Sequence, residues 1–231
     1  MTSKPGPRSP IVFLLDVDNT LLDNDRVVED LKELLHREVG AEWQARYWEI
    51  FEQHRRELGY ADYLGTLQRY RMEDRRDPNL IAIARFLLNY PFRERMYPGA
   101  FEVLTHLEKW GPTALLTDGD VVFQPLKIDR SGLFQALSGR VLLYVHKEEE
   151  LPDIERRFPA DHYVVVDDKI RLLTAMKLQW GDRMTSVFPR QGHYAHAPDV
   201  SDYPPPDITV EHIADLLQFD PPPGVPKARH P

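Results

Sequence analysis

The run Ile11-Val12-Phe13-Leu14-Leu15 is apolar throughout, lacks a helical period and follows a Pro-rich start. That pattern predicts a parallel strand buried on both faces. Four more runs of strand length lie at residues 113–116, 141–145, 163–166 and 186–188. Helical patterns separate them. Phe101, Leu104 and Leu107 recur at helix spacing before the second run, and Ile170, Leu173 and Lys177 start just after the fourth. Strands alternating with helices predict an α/β fold, a Rossmann-like parallel sheet flanked by helices with right-handed crossovers.

Residues 22–96 interrupt the alternation and hold no convincing strand. Leu31, Leu34, Leu35 and Val39 fit one helix face, and Tyr47, Phe51, His54 and Leu58 fit another. A third helix is expected from Tyr60 to about Met72, and a fourth over residues 79–89, stopped by Pro91. The chain re-enters the core at Tyr97-Pro98-Gly99. The organisation expected is therefore a leader (1–10), a core (11–21 and 97–220), an all-helical insertion after the first strand (22–96) and a Pro-rich tail (221–231). Within the last part of the core, Ile208-Thr209-Val210 reads as a short edge strand, followed by an amphipathic helix with Ile213, Leu216 and Leu217.

The 231 residues, 42% hydrophobic and 29% charged, describe an ordinary globular chain long enough for a sizeable core. A formal charge of −8 argues against a general nucleic-acid or membrane-surface binder, although a bound cation can reverse the field inside a cleft. The absence of cysteine excludes disulfides, thiolate metal sites and a thiol nucleophile, and suits a reducing cytoplasm. No apolar run approaches membrane-spanning length, and the first ten residues lack the apolar core of a secretory signal.

Chemistry is expected where the strands end. The first runs into Asp16-Val17-Asp18-Asn19-Thr20, the second into Thr117-Asp118, the third into His146-Lys147 and the fourth into Asp167-Asp168. A parallel sheet gathers the carboxyl ends of its strands along one rim, so these distant positions can converge. Carboxylates bind Mg²⁺, a hydroxyl and a lysine bind anionic oxygens, and one further carboxylate can attack. Such a set suits phosphoryl transfer. Each residue also has a plainer use: an acidic turn, a helix N-cap or a surface ion pair.

The ordered set resembles the haloacid dehalogenase superfamily in its phosphatase branch. The family's four motifs are matched by Asp16-Val17-Asp18-Asn19-Thr20, Leu115-Leu116-Thr117, Lys147 and Val166-Asp167-Asp168, over roughly residues 11–188. A helical cap inserted between the first two motifs matches one subclass. The resemblance implies that Asp16 is the nucleophile of an aspartyl-phosphate, and that Asp18 is a general acid and then a base. It also implies that Thr117 bonds the phosphoryl group while Lys147 holds it. Asp16, the backbone carbonyl of Asp18, and Asp167 or Asp168 would bind Mg²⁺, and Thr20 would brace the loop. Lys127 is the alternative to Lys147. The expected activity is hydrolysis of a small phosphorylated metabolite, with phosphomutase or phosphotransferase chemistry, or a silent binding protein, as alternatives. The family's dehalogenases lack the second acid of the first motif, and Asp18 is present here.

Three weaker signals remain. The insertion carries Arg46, Arg55, Arg56, Arg69, Arg71, Arg75 and Arg76 among aromatics, which could grip a substrate or be solvated charge beside Glu49, Glu52 and Glu57. Asp118-Gly119-Asp120 is either a phosphate-binding nest or a turn. His193 and His196 read as surface histidines rather than metal ligands.

Overall fold

β1 (Ser9–Leu15) is apolar and buried at every position from Ile11 to Leu15. Ile11, Phe13 and Leu15 pack into one buried cluster, while Val12 and Leu14 pack into another on the opposite face. A strand covered on both sides has no solvent face to make polar. The computed structural model describes residues 8–73 and 78–220 of the chain. Most of the expected leader, the Pro-rich tail, and Arg75 and Arg76 lie outside the described residues.

The other strands are β2 (Thr113–Asp118), β3 (Val141–Tyr144), β4 (Ala160–Val166), β5 (Met184–Pro189) and β6 (Ile208–Val210). They form one parallel sheet in the order β3-β2-β1-β4-β5-β6, so the chain reverses direction across the sheet on either side of β1. That reversal opens a crevice above β1, the place where open α/β sheets bind ligands. One face is covered by α4 (Ala100–Leu107), α5 (Phe123–Ser131) and α6 (Leu133–Ala136). The other is covered by α7 (Leu151–Arg157) and α8 (Ile170–Trp180).

The helical insertion opens with α1 (Asn24–Leu58), which breaks at Gly40. There φ is 84° and ψ 171°, a backbone region open essentially to glycine alone. The two expected helices are thus the halves of one kinked element. α2 (Tyr63–Glu73) and α3 (Leu80–Asn89) follow. α2 starts later than the residue at 60 because Asp62 accepts the Gly65 amide through its side chain at 2.6 Å and so caps the helix. The stem of the insertion is closed by a backbone bridge between Leu22 and Met96, with the Tyr97 amide donating to Leu21 O at 2.9 Å. A chain of aromatic rings connects insertion and core: Phe51 to Tyr63 (4.9 Å), Tyr63 to Phe123 (5.2 Å) and Phe123 to Phe92 (5.7 Å between centroids).

Two local expectations change. The final amphipathic helix is a 3-10 helix over Ile213–Gln218, whose tighter period buries Ile213 and Leu216 but leaves Leu217 39% exposed. The third strand ends at Tyr144, and Val145 is half-exposed at the rim. No helix of the described residues is long and apolar enough to cross a membrane.

Candidate active site

Register brings the motif residues together. Leu15 pairs with Val166 on one side and Leu115 on the other, so Asp16 leaves the sheet level with Asp167 and beside Leu116 and Thr117. The Asp16 amide donates to Val166 O at 2.9 Å and fixes that alignment. The turn that follows is held by Asn19 at φ 59°, a left-handed conformation that asparagine tolerates. Its Oδ1 accepts the amides of Asn24 (3.0 Å) and Asp25 (3.1 Å), which seats the first turn of α1 on the loop. Gly192 lies against Asn19 so closely that an added Cβ would meet the Asn19 Cβ at 2.4 Å. Thr20 Oγ1 accepts the Asp168 amide at 3.2 Å, tying the first acidic turn to the last.

Three carboxylates crowd the floor. Ligand oxygens of Asp16, Asp167 and Asp168 lie within 4.8 Å of one another, all buried. Lys147, also buried, reaches them from the 3-10 turn after β3. Its Nζ donates to Asp16 Oδ1 at 2.5 Å and to Leu116 O at 3.1 Å. It also lies 2.7 Å from Asp167 Oδ2 as an ion contact that lacks hydrogen-bond geometry. Lys147 is the one lysine with a direct ion contact to these carboxylates among the described residues, and it leaves the floor short of positive charge. Among the described residues, Asp16 Oδ2 and both oxygens of Asp168 have no hydrogen-bond partner, and Asp168 is 0% exposed. Burial pushes the Asp16 carboxyl up to about 6 against the pull of Lys147, with Asp167 adding to the rise. Burial likewise holds Asp168 well above the usual carboxylate range. Burial alone would lower Lys147, but Asp16, Asp167 and Asp118 outweigh it and hold the ammonium charged.

Orphaned buried carboxylate oxygens carry a large desolvation cost unless something positive meets them. Convergent hard oxygens and no nitrogen or sulfur donor fit a hard divalent cation. The side chain of Asp18 is not part of this cluster. It turns away to Lys127 and Gln124, so any contact from Asp18 to a cation falls to its backbone carbonyl. Asp167 and Asp168 both face the common point, and Asp168 is the one with neither oxygen engaged.

Asp18 stands on the wall facing the insertion, its side chain 25% exposed. Lys127 Nζ donates to its Oδ1 at 2.6 Å, and Gln124 Nε2 to its Oδ2 at 3.3 Å. Gln124 also donates to Thr117 Oγ1 at 2.9 Å. The two candidate lysines therefore serve different acids: Lys147 lies on Asp16, and Lys127 on Asp18. Gln124 escaped the sequence reading, although it lies three residues before Lys127 and shares its helix face. Lys169 is a further cation at the floor. Burial lowers it, but Asp16 and Asp168 outweigh that, and its Nζ sits 5.0 Å from the Tyr194 ring centroid.

The weaker signals resolve into structure. Gly119 donates its amide to Tyr144 O, and Asp120 Oδ1 accepts the amides of Val122 (2.8 Å) and Phe123 (2.6 Å), so this segment is a turn that starts α5. Arg46 pairs with Glu49 and Glu73, and Arg69 with Glu57, all at the surface. Arg55 pairs with Glu52 but also donates to Tyr194 OH at 3.3 Å, across the seam between insertion and core. His193 binds Asp25 through its amide (2.7 Å) and its ring, and belongs to no metal cluster among the described residues.

Comparison with known proteins gives the family and the fold. A family model described as haloacid dehalogenase-like hydrolase matches residues 12–177. A haloacid dehalogenase-like hydrolase of Burkholderia xenovorans LB400 is 59% identical, with a TM-score of 0.88 over 92% of this chain and 100% of its own. Two more distant structures share the fold. The HAD hydrolase YfnB of Bacillus subtilis, bound to magnesium, has 15% identity and a TM-score of 0.58 over 92% of this chain and 100% of its own. The L-2-haloacid dehalogenase of Xanthobacter autotrophicus has 17% identity and a TM-score of 0.56 over 91% and 97%. No curated protein is similar enough to match the chain. With the family model spanning well over half its length, the chain belongs to the haloacid dehalogenase-like hydrolases.

Proposed function

We propose that this hydrolase is a Mg²⁺-dependent phosphatase acting on a small phosphomonoester. The observation that carries the reading is the pairing of an electron-rich, under-compensated floor with a second acid, Asp18, on the wall above it. The Bacillus hydrolase binds magnesium on the same fold, and the Xanthobacter enzyme is a dehalogenase. Dehalogenation needs no proton for its leaving halide, whereas an alkoxide leaving group does. Asp18 therefore favours phosphate ester cleavage.

In this reading a carboxylate oxygen of Asp16 attacks phosphorus, and the bond from phosphorus to the ester oxygen breaks. Asp18 gives that oxygen its proton. Water then loses a proton to Asp18 and attacks the same phosphorus, which breaks the bond to Asp16 and releases inorganic phosphate. Thr117 and Lys147 hold the phosphoryl oxygens and offset their charge. Asp16, Asp167, Asp168 and the Asp18 carbonyl would hold Mg²⁺, which supplies positive charge against the meeting of an anionic substrate with an anionic nucleophile.

A panel of metabolite phosphates and p-nitrophenyl phosphate, assayed with Mg²⁺ and with chelator, tests the reading. Phosphate release that depends on the metal is expected. Halide release from 2-haloacids, or turnover undiminished by chelator, overturns it. Transfer of the phosphoryl group to added sugar acceptors in preference to water would move the assignment to a phosphotransferase.

A further inference from the structure

Buried lysines are rare because an ammonium loses its hydration on burial, so each one needs an account. Lys147 has one in the charge of the floor. Lys127 is 1% exposed, lies on a helix rather than at a strand end, and is not used by the reaction described above. Its Nζ reaches two residues from different parts of the molecule: Asp18 Oδ1 at 2.6 Å and Asn24 Oδ1 at 3.0 Å. Its ammonium also lies 5.6 Å from the Phe123 ring centroid. Asn24 is the first residue of α1, the helix that opens the insertion. The sequence of contacts Asp18–Lys127–Asn24 thus runs from the acid on the loop, through the core helix α5, into the first turn of the insertion.

We propose that Lys127 is a positioning residue that sets the carboxylate of Asp18 and the first turn of the helical insertion as one unit. The proposal rests on the proposed role of Asp18, and adds that its placement depends on the seating of the insertion. Among the described residues, Gln124 holds the other Asp18 oxygen and reaches only Thr117 besides, so it fixes the acid to the core. Lys127 is the residue that fixes it to both. A point cation with several donors suits this, because it can bond a carboxylate and an amide oxygen together.

The experiment joins a double-mutant cycle with hydrogen exchange on the full chain. With p-nitrophenyl phosphate and Mg²⁺, Lys127→Met is expected to lower kcat about 10- to 100-fold while KM changes by less than about 2-fold, the size of a misplaced catalytic group. In an Asp18→Asn background the same substitution should cost less than about 2-fold, because Lys127 acts through Asp18. In the metal-free protein, the Asn24 and Asp25 amides should exchange at least about tenfold faster in Lys127→Met, with β4 and α8 unchanged. An equal loss of kcat in both backgrounds, or exchange raised throughout the molecule, overturns the proposal and leaves Lys127 a merely structural cation. Asn24→Ala releases the far end of the bridge and is read in the same two ways should Lys127→Met fail to fold. If the wild-type protein releases no phosphate from any ester, the phosphatase reading falls, and exchange at Asn24 and Asp25 still decides the coupling.

Discussion

The two acids of the opening motif, two residues apart, sit in opposite surroundings. Asp16 lies on a floor made by strand ends, buried with Asp167, Asp168 and Lys147, where carboxylates outnumber the lysine that reaches them. Asp18 lies on a wall made by a helix, partly open toward the insertion, with both oxygens engaged by Lys127 and Gln124. The floor concentrates charge and leaves oxygens unpaired; the wall satisfies its acid and aims it. The difference follows from geometry. Strand ends are fixed by sheet register and can be packed tightly around one point. A helix instead offers side chains three residues apart that reach sideways to a neighbour.

The comparison breaks first at the floor. Asp16→Asn removes the attacking group, and phosphate release should fall by at least about 10⁴-fold, the scale of losing a nucleophile. Activity within about tenfold of wild type would refute the division of labour between the acids. Lys147→Met comes next. It removes the cation paired with Asp16 and Asp167 and leaves only Lys169 near the floor, so the metal-free protein should lose roughly 3 kcal/mol, as when one partner of a buried pair is removed. Its melting temperature should drop by several degrees, with added Mg²⁺ recovering part of the loss. An unchanged melting temperature would mean that the floor is not held by that lysine.

The smallest effect sharpens the charge argument. Asp16 is pushed up to about 6, above its unfolded value of 3.8, so the folded metal-free chain binds the extra proton between those values. Its contribution to stability is therefore full below about pH 4 and fades as the pH rises through 6. A cation must displace that proton, so Mg²⁺ affinity should climb roughly tenfold from about pH 5 to 7 and level off beyond. Titration calorimetry at three pH values checks this. A flat affinity would show that the floor does not compete with protons for the metal.

Much of the fold is legible in the sequence because both-face burial leaves a plain mark. The five apolar runs are five strands of the sheet, and Ile208-Thr209-Val210 is its edge. Shape around special backbone was not legible. The break at Gly40 inside one long element, the cap at Asp62 and the tighter final helix depend on single dihedrals and side-chain bonds rather than on period. On the floor, Asp16, Lys147, Asp167 and Asp168 were each nameable, because strand-end chemistry is written next to apolar runs. On the wall, Lys127 stood only as a substitute for Lys147, and Gln124 not at all, since a helix residue's partner across the fold leaves no trace in local sequence.

The sequence by itself determined the parallel α/β architecture, the helical insertion and the identity of the acids at the strand ends, since hydrophobic period and strand-end position are local properties. Tertiary structure decided which lysine meets which acid, that Asp167 and Asp168 both turn to the point shared with Asp16, and that Asp18 faces away from it. These outcomes depend on sheet register and on the direction of α5 over the rim, where residues more than a hundred positions apart come within hydrogen-bond distance.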